Sequence, residues 1–131
     1  RAFVVHRSSI GAIERSMAFL IEKYAGAFPT WLSPVQARVL PIGEAHAQFA
    51  QSVLEQLKAA GVRADIDESG ESLGKKIRNA KHEKIPYMLV VGDAEVAAGR
   101  ATLESRDKGK VGTVAISEII SQLVGEIKTR S

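Results

Sequence analysis

The chain has 131 residues, of which 45% are hydrophobic, and a mean hydropathy of -0.02. These values are typical of one soluble globular domain and exclude a disordered or low-complexity chain. The lack of cysteine excludes disulfides, cysteine-ligated zinc and thiol nucleophiles. No apolar run is long enough to span a bilayer, and the net charge of +3 does not by itself require a polyanionic partner.

The first elements in the chain are a predicted strand and a predicted helix. Residues 2–6 are β-rich and predict a buried strand. Apolar residues at helical spacing then predict a helix that begins at Ser8 or Ser9 and ends at Gly26. The segment 28–34 contains two prolines, which forbid a helix and predict an extended connector at a domain boundary.

After this connector, strands and helices alternate. Strands are predicted over 35–42, 62–67 and 86–91, and helices over 44–60 and 73–84. The third strand is wholly apolar, which indicates a parallel core covered by helices. A strand near 100–106, a turn over 107–110 and an amphipathic helix complete the pattern. The sequence therefore predicts an α/β fold with a largely parallel sheet flanked by helices.

Catalytic and nucleotide-binding motifs are absent from this alternating region. It has neither a GxxxxGK[ST] loop nor a GxGxxG loop after a strand. The three histidines, His6, His46 and His82, are far apart in sequence and belong to different predicted elements. Residues 34–131 are therefore predicted to be non-catalytic, which disfavours a small-molecule-binding α/β enzyme.

The clearest charge signal lies in residues 75–84, which contain five basic residues and one acid. On a helical wheel, Leu73, Ile77 and Ala80 form the core stripe, whereas Lys75, Arg78 and His82 face water. The pattern allows a solvated helix face or a stripe that contacts phosphates.

Three segments of the chain resemble a known family. The pattern His6-Arg7, Gly11, Glu14-Arg15 resembles the motif 3 strand and helix of class II aminoacyl-tRNA synthetases. The sequence FPTWLSPVQ over 28–36 resembles the junction between the catalytic and anticodon-binding domains of threonyl-tRNA synthetases. The sequence KIPYMLVVGD over 84–93 is similar to the central strand of their anticodon-binding domain. The resemblance covers essentially the whole chain, and the last two segments are more specific than motif 3.

The resemblance implies a C-terminal fragment with two parts. Residues 1–31 would be the last strand and helix of the catalytic domain, and residues 32–131 would be the anticodon-binding domain with its class IIa fold, a mixed sheet with flanking helices. The implied function is tRNA anticodon recognition as part of threonine-tRNA ligase, which attaches threonine to its tRNA with ATP. The first residue, Arg1 rather than methionine, agrees with a piece of a longer protein.

The resemblance also implies cofactors and partners. The full-length protein would use zinc and ATP with magnesium, would be a cytoplasmic homodimer, and would bind the anticodon stem-loop of threonine tRNA. This chain is expected to hold no cofactor and to be inactive alone, because motifs 1 and 2 are missing. No membrane partner is expected.

Roles for individual residues follow from the same resemblance. His6 matches a zinc ligand, which would act only in the full-length protein, and Arg15 matches the arginine that stacks on the adenine of ATP. Arg78, Lys84 and Glu95 fall at or near positions that contact the anticodon. The predicted tRNA-binding set also includes Lys75 and Arg106, because of their charge and their position in the sequence.

The chain departs from the family pattern at three predicted contact positions. Gly70 and Ser72 replace a polar residue and a lysine in the loop before the second helix. Glu104 replaces an arginine on the late strand, and an acid there is expected to weaken contact with a polyanion. Alternation places Arg106 on the same face, where it could substitute only by reaching past Glu104.

The alternative function is a stand-alone domain of this fold that acts as a protein-interaction or regulatory module. The motif 3 remnant argues against this alternative, because such a module has no use for half of an active site.

Overall fold

The computed structural model describes residues 1–9 and 11–131, and Ile10 lies outside the described residues. The helices and strands are α1 (Ile13–Tyr24), β1 (Ala37–Pro41), a 3-10 turn (Glu44–His46), α2 (Ala47–Ala59), β2 (Ala64–Ile66), α3 (Leu73–His82), β3 (Tyr87–Val91), α4 (Asp93–Ala98), β4 (Arg100–Ser105), β5 (Gly109–Ala115) and α5 (Ile116–Thr129). Helices and strands alternate along the chain from β1 to β4, and a hairpin of β4 and β5 and a last helix follow.

The strands form one mixed sheet in the order β2-β1-β3-β4-β5. β1 pairs in parallel with β2 and β3, whereas β4 pairs antiparallel with β3 and β5. It follows that β4 alone runs against the other strands of this sheet. The predicted mixed, largely parallel sheet flanked by helices is confirmed.

The two faces of the sheet are covered unequally. Helices α2 and α5 pack on one face, where Val39, Leu89 and Leu103 are fully buried. Helix α3 packs on the other face, where its apolar side chains contact Leu40 and Met88 of β1 and β3. On the same side of β4, Thr102 and Glu104 stay partly exposed, and the short helix α4 reaches this side only at its end, where Glu95 bonds to Thr102. We refer to this side of β4 and β5 as their outer side. We call the surface formed by α3 and this outer side of β4 and β5 the open face.

The predicted buried strand at residues 2–6 is wrong. The segment forms no strand, and the side chains of Phe3, Val4 and Val5 are 93%, 93% and 88% exposed. A strand needs a neighbour to pair with its backbone, and no strand of the described sheet lies beside this segment. The strand half of the predicted strand-helix remnant is therefore not formed in this chain.

Helix α1 forms as predicted but is shorter at both ends, since it ends at Tyr24 with Ala25 at the C-cap, rather than at Gly26. It begins at Ile13 with Ala12 at the N-cap, rather than at Ser8 or Ser9. The Ser8 hydroxyl instead accepts a hydrogen bond from the Gly11 amide at 3.0 Å, in the turn before the helix. Among the described residues, no helix combines the length and apolar character needed to cross a membrane.

Candidate nucleic-acid interface

The parallel strands β1, β2 and β3 end at the same edge of the sheet, which we call the carboxyl edge. Ligands of open α/β sheets commonly bind at such an edge. Glu95, from the short helix α4, lies here and accepts hydrogen bonds from the Thr102 hydroxyl at 2.7 Å and the Gly92 amide at 3.1 Å. The Thr102 hydrogen bond is the main cause that lowers the pKa of Glu95. Glu95 is therefore an ionised hydrogen-bond acceptor in a fixed position.

Lys76 is a residue of this edge that the sequence analysis missed. Its side chain is buried, and Nζ donates hydrogen bonds to the carbonyl oxygens of Pro41 at 3.0 Å and Asp67 at 3.2 Å. These bonds join the end of β1 to the end of β2. Pro41 and Lys76 line a crevice of about 300 Å³ at this edge. The sequence contains a signal for the burial of Lys76, because this residue lies four residues before the core residue Ala80, on the apolar side of α3.

His46 is a second missed residue, and it joins the loops that follow β1 and β3. Its Nδ1 accepts a hydrogen bond from the Gly43 amide at 3.2 Å. Its Nε2 therefore carries the proton and donates to Asp93 Oδ1 at 2.8 Å. The first residue of α4, the helix that carries Glu95, is thus tied to the loop after β1.

Three cations follow one another at three-residue spacing along α3. Lys75 pairs with Glu71 at 2.8 Å, and Lys81 pairs with Glu104 of β4 at 2.7 Å. Arg78 lies between them, is exposed, and has no ion pair or side-chain hydrogen bond within the part of the chain that the structure describes. The predicted division of α3 into a core stripe and a water-facing stripe is confirmed for Ala80, Lys75 and Arg78.

The remaining two predicted tRNA-binding residues lie at the opposite edge of the sheet. The Lys84 ammonium donates to the carbonyl oxygen of Ala25, just after α1. The Arg106 guanidinium donates to the Lys84 carbonyl oxygen at 2.9 Å and pairs with Asp107 at 3.1 Å. The structure therefore brings Lys84 and Arg106 to each other, apart from Glu95, and Arg106 does not extend past Glu104.

The two residues with predicted catalytic-domain roles, His6 and Arg15, are exposed and lie outside the five-stranded domain. Across residues 1–9 and 11–131, no group of three or more His, Cys, Asp or Glu side chains could hold a metal ion. A zinc site requires three or four protein ligands. The described residues therefore do not form a zinc site by themselves.

Comparison with known proteins identifies the family. Residues 36–126 match the anticodon binding domain family. The chain belongs to this family. The chain is 45% identical to a threonine-tRNA ligase of Clostridium perfringens over 130 residues, which is 99% of this chain and 20% of that protein. It is 46% identical over 131 residues to the threonine-tRNA ligase of Caldanaerobacter subterraneus subsp. tengcongensis, again 20% of that protein.

A solved structure supports the same relationship. The RNA binding domain of threonyl-tRNA synthetase from Cryptosporidium parvum Iowa II matches 88% of this chain with a TM-score of 0.82 and 33% sequence identity, and the match covers 29% of that chain. The resemblance found in the sequence is confirmed. The chain spans about one fifth of the length of the curated relatives that it matches.

Proposed function

We propose that this chain recognises the anticodon of a threonine tRNA as the C-terminal part of a threonine-tRNA ligase. The observation that carries the proposal is Arg78, an exposed guanidinium without a protein partner among the described residues, on the open face of an anticodon binding domain. Anticodon bases are unpaired, so their edges are available to side-chain donors and acceptors. An arginine supplies several donors in fixed geometry, and ionised Glu95 supplies acceptors.

The predicted contact residues divide by the chemistry that each can supply. We assign a phosphate contact to Lys75, because its pairing with Glu71 is exposed and easily exchanged for a phosphate. We assign base contacts to Arg78 and Glu95. Lys84 and Arg106 contact each other at the opposite edge of the sheet from Glu95, so we place them outside the main contact set.

The wider activity is proposed for a protein that contains this chain. That protein would activate threonine with ATP to an adenylate and transfer it to tRNA, and it would be a cytoplasmic homodimer. His6 would contribute one ligand to a zinc site, and Arg15 would stack on the adenine of ATP, both together with residues outside this chain. We expect the 131-residue chain to lack threonine-dependent ATP-pyrophosphate exchange.

The test compares two variants of α3 with a control in salt titrations. Affinity is measured for a threonine-tRNA anticodon stem-loop and for the same stem-loop with a changed anticodon. Lys75→Ala should lower both affinities equally and reduce the salt slope by roughly 0.7 to 0.9. Arg78→Ala should cost about 1 to 3 kcal/mol and reduce the discrimination between the two RNAs.

The control variant is Lys58→Ala, which removes an exposed cation from α2 on the far side of the sheet. It should bind both stem-loops as the parent chain does. If Lys75→Ala and Arg78→Ala also bind both RNAs unchanged, the cations of α3 form only a solvated surface and the proposed site is wrong.

A further inference from the structure

An ion pair joins the last turn of α3 to β4 across the open face. Lys81 Nζ lies 2.7 Å from Glu104 Oε1, and the two side chains are 54% and 17% exposed. In the sheet, Glu104 stands opposite Met88 on β3 and opposite Lys110 on β5. The carboxylate is therefore recessed within the open face, and the ammonium is held over it at the surface.

The charges of this pair make it a poor phosphate site. The carboxylate cancels the charge of the ammonium and itself repels an anion, so little counterion release is gained by placing a phosphate there. The ion pair nevertheless has hydrogen-bonding groups that its own contact does not use. Lys81 has three N–H donors, and the Glu104 carboxylate has more lone pairs than one bond uses.

The edge of an unpaired base carries both acceptors and N–H donors. The ion pair presents the complementary arrangement, an N–H donor beside a carboxylate acceptor. Glu104 already restricts the Lys81 side chain in the free protein. Base binding would therefore cost little additional side-chain conformational entropy. The pair is thus better suited to a base edge than to the RNA backbone.

We propose that Lys81 and Glu104 act together to recognise one base edge in the anticodon loop. Lys81 donates to a base acceptor, while Glu104 accepts from a base N–H group and holds the ammonium in place. This inference rests on the proposed function of anticodon recognition. It also reverses the expectation for Glu104, because the acid contributes to recognition instead of weakening it.

The experiment measures the ratio of affinities for the threonine-tRNA anticodon stem-loop and the anticodon-changed stem-loop. This ratio cancels any uniform effect of a changed net charge. Lys81→Ala and Glu104→Gln should each lower the ratio by roughly 5-fold or more. The double variant should lower it little further, because residues that act as one unit are not additive. Lys58→Ala serves as the control, with the parent's ratio expected.

Two results would overturn the inference. If Lys81→Ala weakens binding to both RNAs equally and reduces the salt slope, the ammonium contacts phosphate and no base. If Glu104→Gln strengthens binding to both RNAs and leaves the ratio unchanged, the acid only repels RNA. Thermal unfolding checks each variant, and Lys81→Met, which keeps most of the aliphatic side chain and removes the ammonium, replaces Lys81→Ala if the latter is destabilised.

Failure of this inference can be separated from failure of the proposed function. If Arg78→Ala lowers the ratio and Lys81→Ala does not, only the role of the ion pair is overturned. If the parent chain does not distinguish the two RNAs, both the proposed function and the role of the pair are overturned.

Discussion

Single side chains at the carboxyl edge owe their positions to hydrogen bonds with the backbone. Glu95 is held by the Gly92 amide, and His46 accepts from the Gly43 amide. Lys76 binds two carbonyl oxygens at the ends of neighbouring strands. The loops that surround the proposed anticodon site are therefore fixed from within the protein before any RNA binds.

Lys76 provides a test of this arrangement. Lys76→Met keeps most of the side-chain volume but leaves the buried Pro41 carbonyl oxygen and the partly buried Asp67 carbonyl oxygen without this donor. We expect the free energy of unfolding to fall by about 1 to 3 kcal/mol in urea denaturation. The matched variant Lys75→Met, on the exposed side of the same helix, should cost less than about 0.5 kcal/mol. Equal stability of the two variants would contradict the structural role of Lys76.

At the level of elements, α5 attaches the connector to the sheet. The Glu126 carboxylate accepts hydrogen bonds from the Tyr87 hydroxyl at 2.6 Å and from the Thr30 hydroxyl at 3.1 Å. Gln36 also donates to the Thr30 carbonyl oxygen at 2.9 Å. Thr30 is buried as a result. The connector therefore packs as part of the five-stranded domain. The prediction that it is extended is wrong, because the amides of Leu32 and Ser33 bond back to the Pro29 carbonyl oxygen at 3.0 Å and close a turn.

The same cluster predicts a loss of stability at alkaline pH. Burial, with the hydrogen bond to Glu126, raises the pKa of Tyr87 to about 12. The folded chain keeps a proton that the unfolded chain releases near pH 10. Its contribution to stability is therefore complete below about pH 10 and is lost as the pH rises through about 12.

Tyr87→Phe should remove this part of the pH dependence, and denaturant unfolding at a series of alkaline pH values measures it. Phenolate absorbance of the folded chain gives an independent check, because Tyr87 should resist ionisation until about pH 12. Identical alkaline stability profiles for Tyr87→Phe and the parent would contradict the prediction.

The sequence predicted most elements of the domain because their patterns are strong. These elements are buried in the core, and their burial is visible in the local sequence as the apolar run of β3 and the apolar stripes of α2, α3 and α5. β5 was missed because its first four residues include Gly109 and Gly112, which interrupt alternation. α4 was missed because six residues are too few to show helical periodicity.

The site was only partly predictable for a different reason. The sequence located Arg78 and Glu95 through the family resemblance, and the basic character of α3 through its charges. The Lys81–Glu104 ion pair joins residues that are 23 positions apart, and the contact depends on how α3 lies across the sheet. Similarly, the contact between Arg106 and the Lys84 carbonyl depends on the chain path at the amino end of β3.

The whole molecule consists of a well-packed domain and a poorly covered N-terminal segment. Helix α1 has no buried residue, and its apolar side chains include three that are largely exposed, namely Ile13, Phe19 and Ile21. By contrast, every residue of β3 is buried. Most of the stabilising apolar burial therefore comes from the part of the chain that follows α1.

This division predicts that the N-terminal segment can be removed with little loss of stability. A chain that starts at Ala25 keeps the connector and the Lys84 contact. It should unfold with a free energy within about 1 kcal/mol of the parent value, since no buried side chain of α1 is removed. Hydrogen exchange should show rapid exchange for residues 2–6 and strong protection for residues 87–91. Equal protection of both segments, or a large loss of stability on shortening, would contradict this division.

The central claim is that RNA binds the open face, and a binding footprint tests it most directly. Isotope-labelled chain is titrated with the threonine-tRNA anticodon stem-loop, and the amide resonances that shift are mapped onto the fold. We predict that the shifts concentrate on the exposed side of α3, on the outer residues of β4 and β5, and around Glu95. Shifts confined to α2 and α5 on the opposite face, or no saturable shifts at all, would contradict the account.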